Sequence, residues 1–567
     1  MKAKILFLIG IGLLILAMCS VSAQTDMVVI DSADGKDVYS GIVYANTIDA
    51  DFRFLVSTAK KNAFTASLDR TNKNVYLIES KDNAYVINYK SALEDANFSV
   101  SLDVSESGDA TNLALARKSP AKKFIVIDDT YGYNAISVVP YASITKSYVL
   151  FADKERVDDV YSFLKERNPE DVLIYGYVDS EVKDKLKEFN LEILDKEDRF
   201  DNNIEIVKKY REINPKEQVI LTDGTFLELG MLTGDDPIVL LGADVVPNQV
   251  ADYIKDTDIR VGVLVGNLLT QPAGYLRDTL RDKYGKNFSV IVRFGKGMPG
   301  ISGTIETLDM LPLPVFPLKL YVVDANYNDL TKKLEVTYKN NATTFAYFKP
   351  TITVNVGGER KTMGDEEPVF IAEGESMGRE YGLDLSAYDV REANVTAKTY
   401  VEYGESPRSL EKVVEKEFLI AVISKEDTSA LDVESLAYDP DAKQIVLTIK
   451  NTGGVKVYFR TQFNLNLAGG ARTFKKDEIE SLNAGGSIGM MFSGIELSKE
   501  DIEANKAVKV LINFGDREAF LTKTLEKKVT LQLPEKAQKD NTLLIVIGLT
   551  IIIIIILLFL FYKKGKK

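Results

Sequence analysis

The chain of 567 residues has no histidine, no tryptophan and a single cysteine, with 83 acidic against 70 basic side chains and a net charge of −13. That inventory removes histidine as general base or metal ligand, and it removes paired cysteines as disulfide, zinc site or redox couple. The acidic balance argues against nucleic acid as a partner, because holding phosphate backbones needs clustered Lys and Arg.

Met1-Lys2-Ala3-Lys4, the apolar run Ile5 to Met18 and the small residues Cys19-Ser20-Val21-Ser22-Ala23 predict a signal peptide over 1–23, cut after Ala23. The cut would also remove Cys19, the one cysteine. From Gln24 to about Gly300 the same order of elements recurs with a spacing of about 95 residues. Each repeat opens on a buried-type strand: Val28–Asp31, Ile125–Asp129 and Val219–Asp223. A second apolar run follows at Phe54–Val56, Val149–Asp153 and Val239–Asp244, and a third at Val75–Ile78, Val172–Gly176 and Val261–Gly266. Between runs lie amphipathic patterns such as Arg156 to Arg167, whose Val157, Val160, Tyr161 and Leu164 share one helical face. Continuous apolar strands separated by helices predict parallel βαβ units, so three Rossmann-like repeats are expected at 24–120, 121–216 and 217–310.

Within them, Asp31-Ser32-Ala33-Asp34-Gly35-Lys36-Asp37 gathers three carboxylates around a glycine, the oxygen chemistry Ca²⁺ prefers, without the closing glutamate spacing of an EF-hand. An ordinary polar loop is the favoured reading, with Asp31, Asp34 and Asp37 as the metal candidates for Ca²⁺; no other cofactor is expected. Asp128, Asp129, Asp153, Asp223 and Asp244 fall at strand ends, where open α/β sheets bind ligands; helix capping is the favoured role, and binding of sugar hydroxyls or cations the alternative. Gly295-Lys296-Gly297-Met298-Pro299-Gly300 has dinucleotide-motif spacing, but Pro299 and the residues after it open no helix, so a domain-ending loop is expected.

The segment Glu197-Asp198-Arg199-Phe200-Asp201-Asn202-Asn203-Ile204-Glu205-Ile206, continued through Val219 to Gly266, resembles the cell wall-binding repeat of type two, a surface-anchoring module that occurs in threes. The first repeat departs from it, with no Arg-aromatic pair at Ser107-Gly108-Asp109. The resemblance implies α/β units about a pseudo-threefold axis, attached non-covalently to an envelope polymer. Charge is the other departure, since members that hold anionic polymers use basic surface.

After Leu311-Pro312-Leu313-Pro314-Val315-Phe316-Pro317 the rhythm changes to short alternating segments. Leu334–Asn341, Thr351–Gly358 and Val395–Val401 read as half-buried strands, and Ile445–Gly454 is the later counterpart of Leu334–Asn341. Two immunoglobulin-like β-sandwiches are expected, at 318–425 and 430–533. Both resemble the adhesion-related sandwich domains common in archaeal and bacterial surface proteins. Gly374-Glu375-Ser376-Met377-Gly378 has nucleophile-elbow spacing, yet it stands among strands in a chain without histidine, which makes it a turn.

A polar linker, 534–542, leads to Leu543–Tyr562, about 20 uncharged residues that at about 1.5 Å each match a bilayer's ~30 Å core. The basic tail 563–567 places that end in the cytoplasm. Taking the six lysines Lys2, Lys4, Lys563, Lys564, Lys566 and Lys567 from −13 leaves −19 on the ectodomain. Sequons at Asn97, Asn287, Asn341 and Asn394 are glycosylation candidates. The expected whole is a multidomain α/β and all-β protein of the cell membrane, single-pass, with its N-terminal ectodomain outside. Its expected role is non-enzymatic: association with the cell envelope, its surface layer or its polysaccharide. A small-solute or ion receptor and a carboxylate-dependent glycan hydrolase are the alternatives.

Overall fold

The computed structural model describes residues 25–533 apart from 107, 129, 131, 197, 267–268, 294, 298–304, 308–309, 314, 316, 389, 391–394 and 468–469. The expected signal peptide, linker, membrane span and basic tail lie outside the described residues. Among those that are described, no helix is long and apolar enough to cross a membrane.

The chain divides into two compact units. The first holds the described residues up to Val322 with Asn340–Glu375 and Thr396–Phe418. The second holds Val323–Lys339, Ser376–Val395 and the described residues from Leu419 onward.

In the first unit the expected repeat is present three times. Three sheets of four parallel strands share one order, second-first-third-fourth. The first sheet runs Asp51–Phe54, Met27–Asp31, Asn74–Ser80, Ser99–Ser105. The second runs Tyr148–Phe151, Lys123–Ile127, Asp171–Tyr175, Leu191–Leu194. The third runs Ile238–Leu240, Gln218–Thr222, Val261–Val265, Ser289–Arg293. Opening strands are apolar because both faces are covered: Val28, Val29 and Ile30, like Val126 and Ile127, have no exposed surface. One apolar core runs through all three sheets, taking in Ile30, Ile127, Leu150, Phe200, Leu221 and Leu240. A second core, with Met27, Val29, Leu77 and Tyr89, lies on the other face of the first sheet.

Two helix asparagines join successive repeats. Asn112, on the helix Asp109–Lys118, donates to the Val149 carbonyl and the Ser40 hydroxyl and accepts from the Phe151 amide. Asn203, on Arg199–Ile213, donates to the Ile238 carbonyl and the Ser137 hydroxyl and accepts from the Leu240 amide. Each amide thus extends the edge strand of the following sheet, meeting backbone groups that the buried edge would leave unpaired.

The Pro-rich passage is not a clean boundary. Met310–Pro312 pairs antiparallel with Phe226–Glu228, so the third repeat reaches past residue 310. Gly295–Gly297, the start of the dinucleotide-like spacing, is a short strand paired with Ile305–Thr307; the rest of that motif lies outside the described residues. The first unit also contains an antiparallel sheet in the order Glu359–Gly364, Ala346–Val356, Thr396–Gly404, Leu410–Leu419, with Val369–Ile371 on the other end of Ala346–Val356.

The second unit contains most of the sheet Ser376–Gly382, Lys333–Asn340, Leu320–Asn328, Ala421–Ile423, all but Leu320–Val322 and Asn340, which group with the first unit. Ser376 of the elbow-like spacing opens the first of these strands. The unit also contains a full β-sandwich. One sheet is Ser487–Ser493, Gln444–Asn451, Leu431–Asp439, Leu531–Gln532; the other is Gly470–Leu482, Val457–Leu467, Val508–Gly515, Lys523–Val529. Leu436, Leu447, Phe459, Phe463 and Ile512 share its core.

Candidate functional site

The junction segment that carries the resemblance folds into a buried polar hub within the first unit. Asp198 caps the helix Arg199–Ile213, accepting from the amides of Phe200 and Asp201 at 2.9 Å each. Its other oxygen accepts from Ser406 at 2.8 Å, from Ser409 and from the Gln249 amide at 3.2 Å. Arg199 lies between the rings of Tyr133 and Phe200, at 4.8 and 4.7 Å, and pairs with Glu405 and Glu411 from the loop and strand after Thr396–Gly404. Burial works against the guanidinium charge, but Glu411 and Glu405 outweigh it and hold the group more firmly protonated than usual. Burial raises the Glu405 carboxyl above the ordinary range despite Arg199. Asp198 and Arg199 therefore hold the antiparallel sheet against the second and third repeats, and their charges are used inside the protein.

Beside this hub a cavity of about 360 Å³ opens at the carboxyl edge of the second parallel sheet. Tyr133 and Asn134 come from the first turn after the first strand, Tyr177 from the loop after the third, and Asp195 and Lys196 from the loop after the fourth. Leu318, Thr344, Phe345 and Glu405 form its far wall. The strand order changes direction between the first and third strands, and open α/β sheets bind ligands at that switch point. Gly176 makes the approach of the two loops possible. Its φ is +73°, and a Cβ there would stand 2.6 Å from the Asn134 amide nitrogen. Asn134 is 2% exposed, and its amide has no hydrogen-bond partner among the described residues. Asn202 accepts from the Lys196 amide at 2.7 Å, and its own amide nitrogen is likewise unpartnered. Asp195 pairs with Lys183 at 2.6 Å.

No family model and no curated protein matches this chain. Among solved structures it is similar to Cwp6 from Clostridium difficile, with 18% identity over 42% of this chain and 40% of that one and a TM-score of 0.32. It is also similar to Cwp8 from Clostridium difficile, with 16% identity over 46% and 48% of the two chains and a TM-score of 0.38. The chain spans less than half the length of either neighbour.

Among the described residues, the carboxylates singled out from sequence do not line this cavity. Asp128 accepts from the Thr130 amide at 2.9 Å, Asp153 from the amides of Glu155 and Arg156 at 2.8 Å, and Asp223 from the Thr225 amide at 3.1 Å. These are local turns in which a strand-end carboxylate meets the nearest free amides. Asp244 accepts from the Val413 amide at 3.0 Å and so docks the antiparallel sheet. Asp129 lies outside the described residues. The three metal candidates are drawn apart: Asp31 accepts from the amides of Tyr85 and Val86, Asp34 caps the helix Gly35–Thr47, and Asp37 accepts from Ser32 and the Gly108 amide. No group of three or more metal-ligating side chains is present among the described residues. Asn97, Asn287 and Asn341 are exposed, and Asn394 lies outside the described residues. Asn134, Tyr177, Asp195 and Phe345 were not singled out from sequence; the signal was Tyr175-Gly176-Tyr177, a glycine directly after the apolar run Val172–Tyr175.

Proposed function

We propose that this is a non-enzymatic cell-surface protein whose α/β head associates with the cell envelope. In this reading Leu543–Tyr562 holds the chain in the membrane as a single span, the ectodomain faces outward and Lys563–Lys567 remain in the cytoplasm. The carrying observation is the threefold recurrence of one parallel four-stranded unit on a shared core, the architecture of a repeat array built to present surface. Two further features support it. The net charge of −19 outside the termini favours neutral or cationic partners over anionic polymers. The Asp198-Arg199-Phe200 junction is occupied by Glu405, Glu411, Ser406 and Ser409, so envelope contact falls to other surfaces of the head.

The test is co-sedimentation of the detergent-solubilised full chain with isolated cell envelope. Saturable binding is expected, surviving both nuclease treatment and chelator. A chain left in the supernatant at every envelope concentration would overturn the reading.

A further inference from the structure

The three repeats share a strand order, but the loops at their switch points are built differently. In the first repeat the segment after the third strand folds back over the strand ends: Tyr85 and Val86 donate to Asp31 at 2.8 and 3.2 Å, and Ala33 donates to the Asn83 carbonyl at 2.8 Å. In the third repeat the loop after Thr222 runs into the Phe226–Glu228 and Met310–Pro312 ladder, and Leu313 donates back to the Thr225 carbonyl at 3.0 Å. Gly266, the counterpart of Gly176, there has the Met310 sulfur 4.0 Å from its Cβ position. In the second repeat a cavity stands between the loops that follow the first and third strands.

We infer that this crevice is a binding site for a neutral saccharide ring. Its volume of about 360 Å³ lies within the range of small-ligand pockets. An amide that is 98% buried and unpartnered, Asn134, is paired with the free amide nitrogen of Asn202; together they offer donors and an acceptor of the kind that sugar hydroxyls satisfy. Tyr133, Tyr177 and Phe345 supply apolar ring faces for the C–H side of a pyranose; Tyr177 is 55% and Phe345 46% exposed, so both can be reached from solvent. The charges of Arg199 and Asp195 are already matched, by two glutamates and by Lys183, so neither offers a bare charge to select an ion. Lys196 stands exposed at the mouth, where a single ion contact adds little. This assignment goes beyond envelope association and stands on the crevice alone.

The experiment is titration calorimetry on the detergent-solubilised full chain with neutral oligosaccharides of glucose, galactose, mannose and N-acetylglucosamine, with inorganic phosphate as the ionic control. At least one neutral oligosaccharide should bind saturably, and Tyr177→Ala and Asn134→Leu should each weaken it by tenfold or more. Tyr177 is exposed, so its removal leaves the fold intact and keeps the test valid if Asn134→Leu fails to fold. Binding of phosphate alone, no binding by any sugar, or sugar binding indifferent to Tyr177→Ala would each overturn the assignment. A chain that sediments with envelope yet binds none of these sugars would reject the crevice assignment while leaving the envelope reading in place.

Discussion

Asp31 ends the first strand with no exposed surface, facing Glu79 and Lys61 at longer range. Burial pushes its carboxyl up to about 6, against the opposing pull of the amides of Tyr85 and Val86. Asp37, nearby, is shifted in the same direction, again by burial. A carboxyl raised in the folded state binds its proton more tightly there than in the unfolded chain. Its stabilising contribution is therefore complete below the unfolded value near 3.8 and is lost as pH rises through about 6. Two pK units correspond to about 3 kcal/mol. The urea transition of the first unit should accordingly fall between pH 4.5 and 7.5, and Asp31→Asn should flatten that slope; an unchanged slope would show that Asp31 does not govern it. At this scale the sequence was only half legible. A carboxylate at a strand end is visible as a polar group near a sheet edge, but its partner is decided by which amide the loop brings within 3 Å. Asp128, Asp153 and Asp223 were claimed by amides two or three residues on, while Asn134 became a site residue because the loops around it offered nothing.

Recurring elements were legible where burial is two-sided. The opening and third strands of all three repeats fall within two residues of their apolar runs, because a strand covered on both faces must be apolar throughout. The fourth strands Ser99–Ser105 and Leu191–Leu194 were not read, since half-exposed edge strands carry mixed residues without a continuous run. Among the β segments the expected correspondence of Leu334–Asn341 with Ile445–Gly454 extends to single hydrogen bonds. Asn340 donates to the carbonyls of Thr344 and Ala372, and Asn451 to those of Val455 and Leu482, at 2.8 and 3.0 Å in each case. The preceding turns match too: Asn328 and Asp439 each accept from two amides just downstream, and Lys332 and Lys443 both have positive φ. Both asparagines have no exposed surface, so Asn340→Ala and Asn451→Ala each strand buried carbonyls and should cost roughly 1–3 kcal/mol. Chemical denaturation should give similar losses for the two; a large loss at one and none at the other would contradict their equivalence.

For the whole molecule, composition set narrow limits: without histidine and with Cys19 as the single cysteine, the described residues are held by apolar cores and by polar hubs such as Asp198-Arg199. Three parallel sheets precede the later β sheets along the chain. The limits of the first sandwich do not coincide with the compact units, because Val323–Lys339 and Ser376–Val395 group with the second unit and Asn340–Glu375 with the first. Alternation along a strand reports which face is buried but not which neighbour buries it, so that grouping was not available from sequence. The proposed address joins these parts into one account, in which everything between Ala23 and Leu543 meets the outside of the cell. Protease shaving of intact cells that carry the full chain with an epitope tag after Lys567 tests it most directly. The account predicts that fragments from 24–533 are released while the tag stays protected until the cells are lysed; an untouched ectodomain, or a tag cleaved from intact cells, would contradict it.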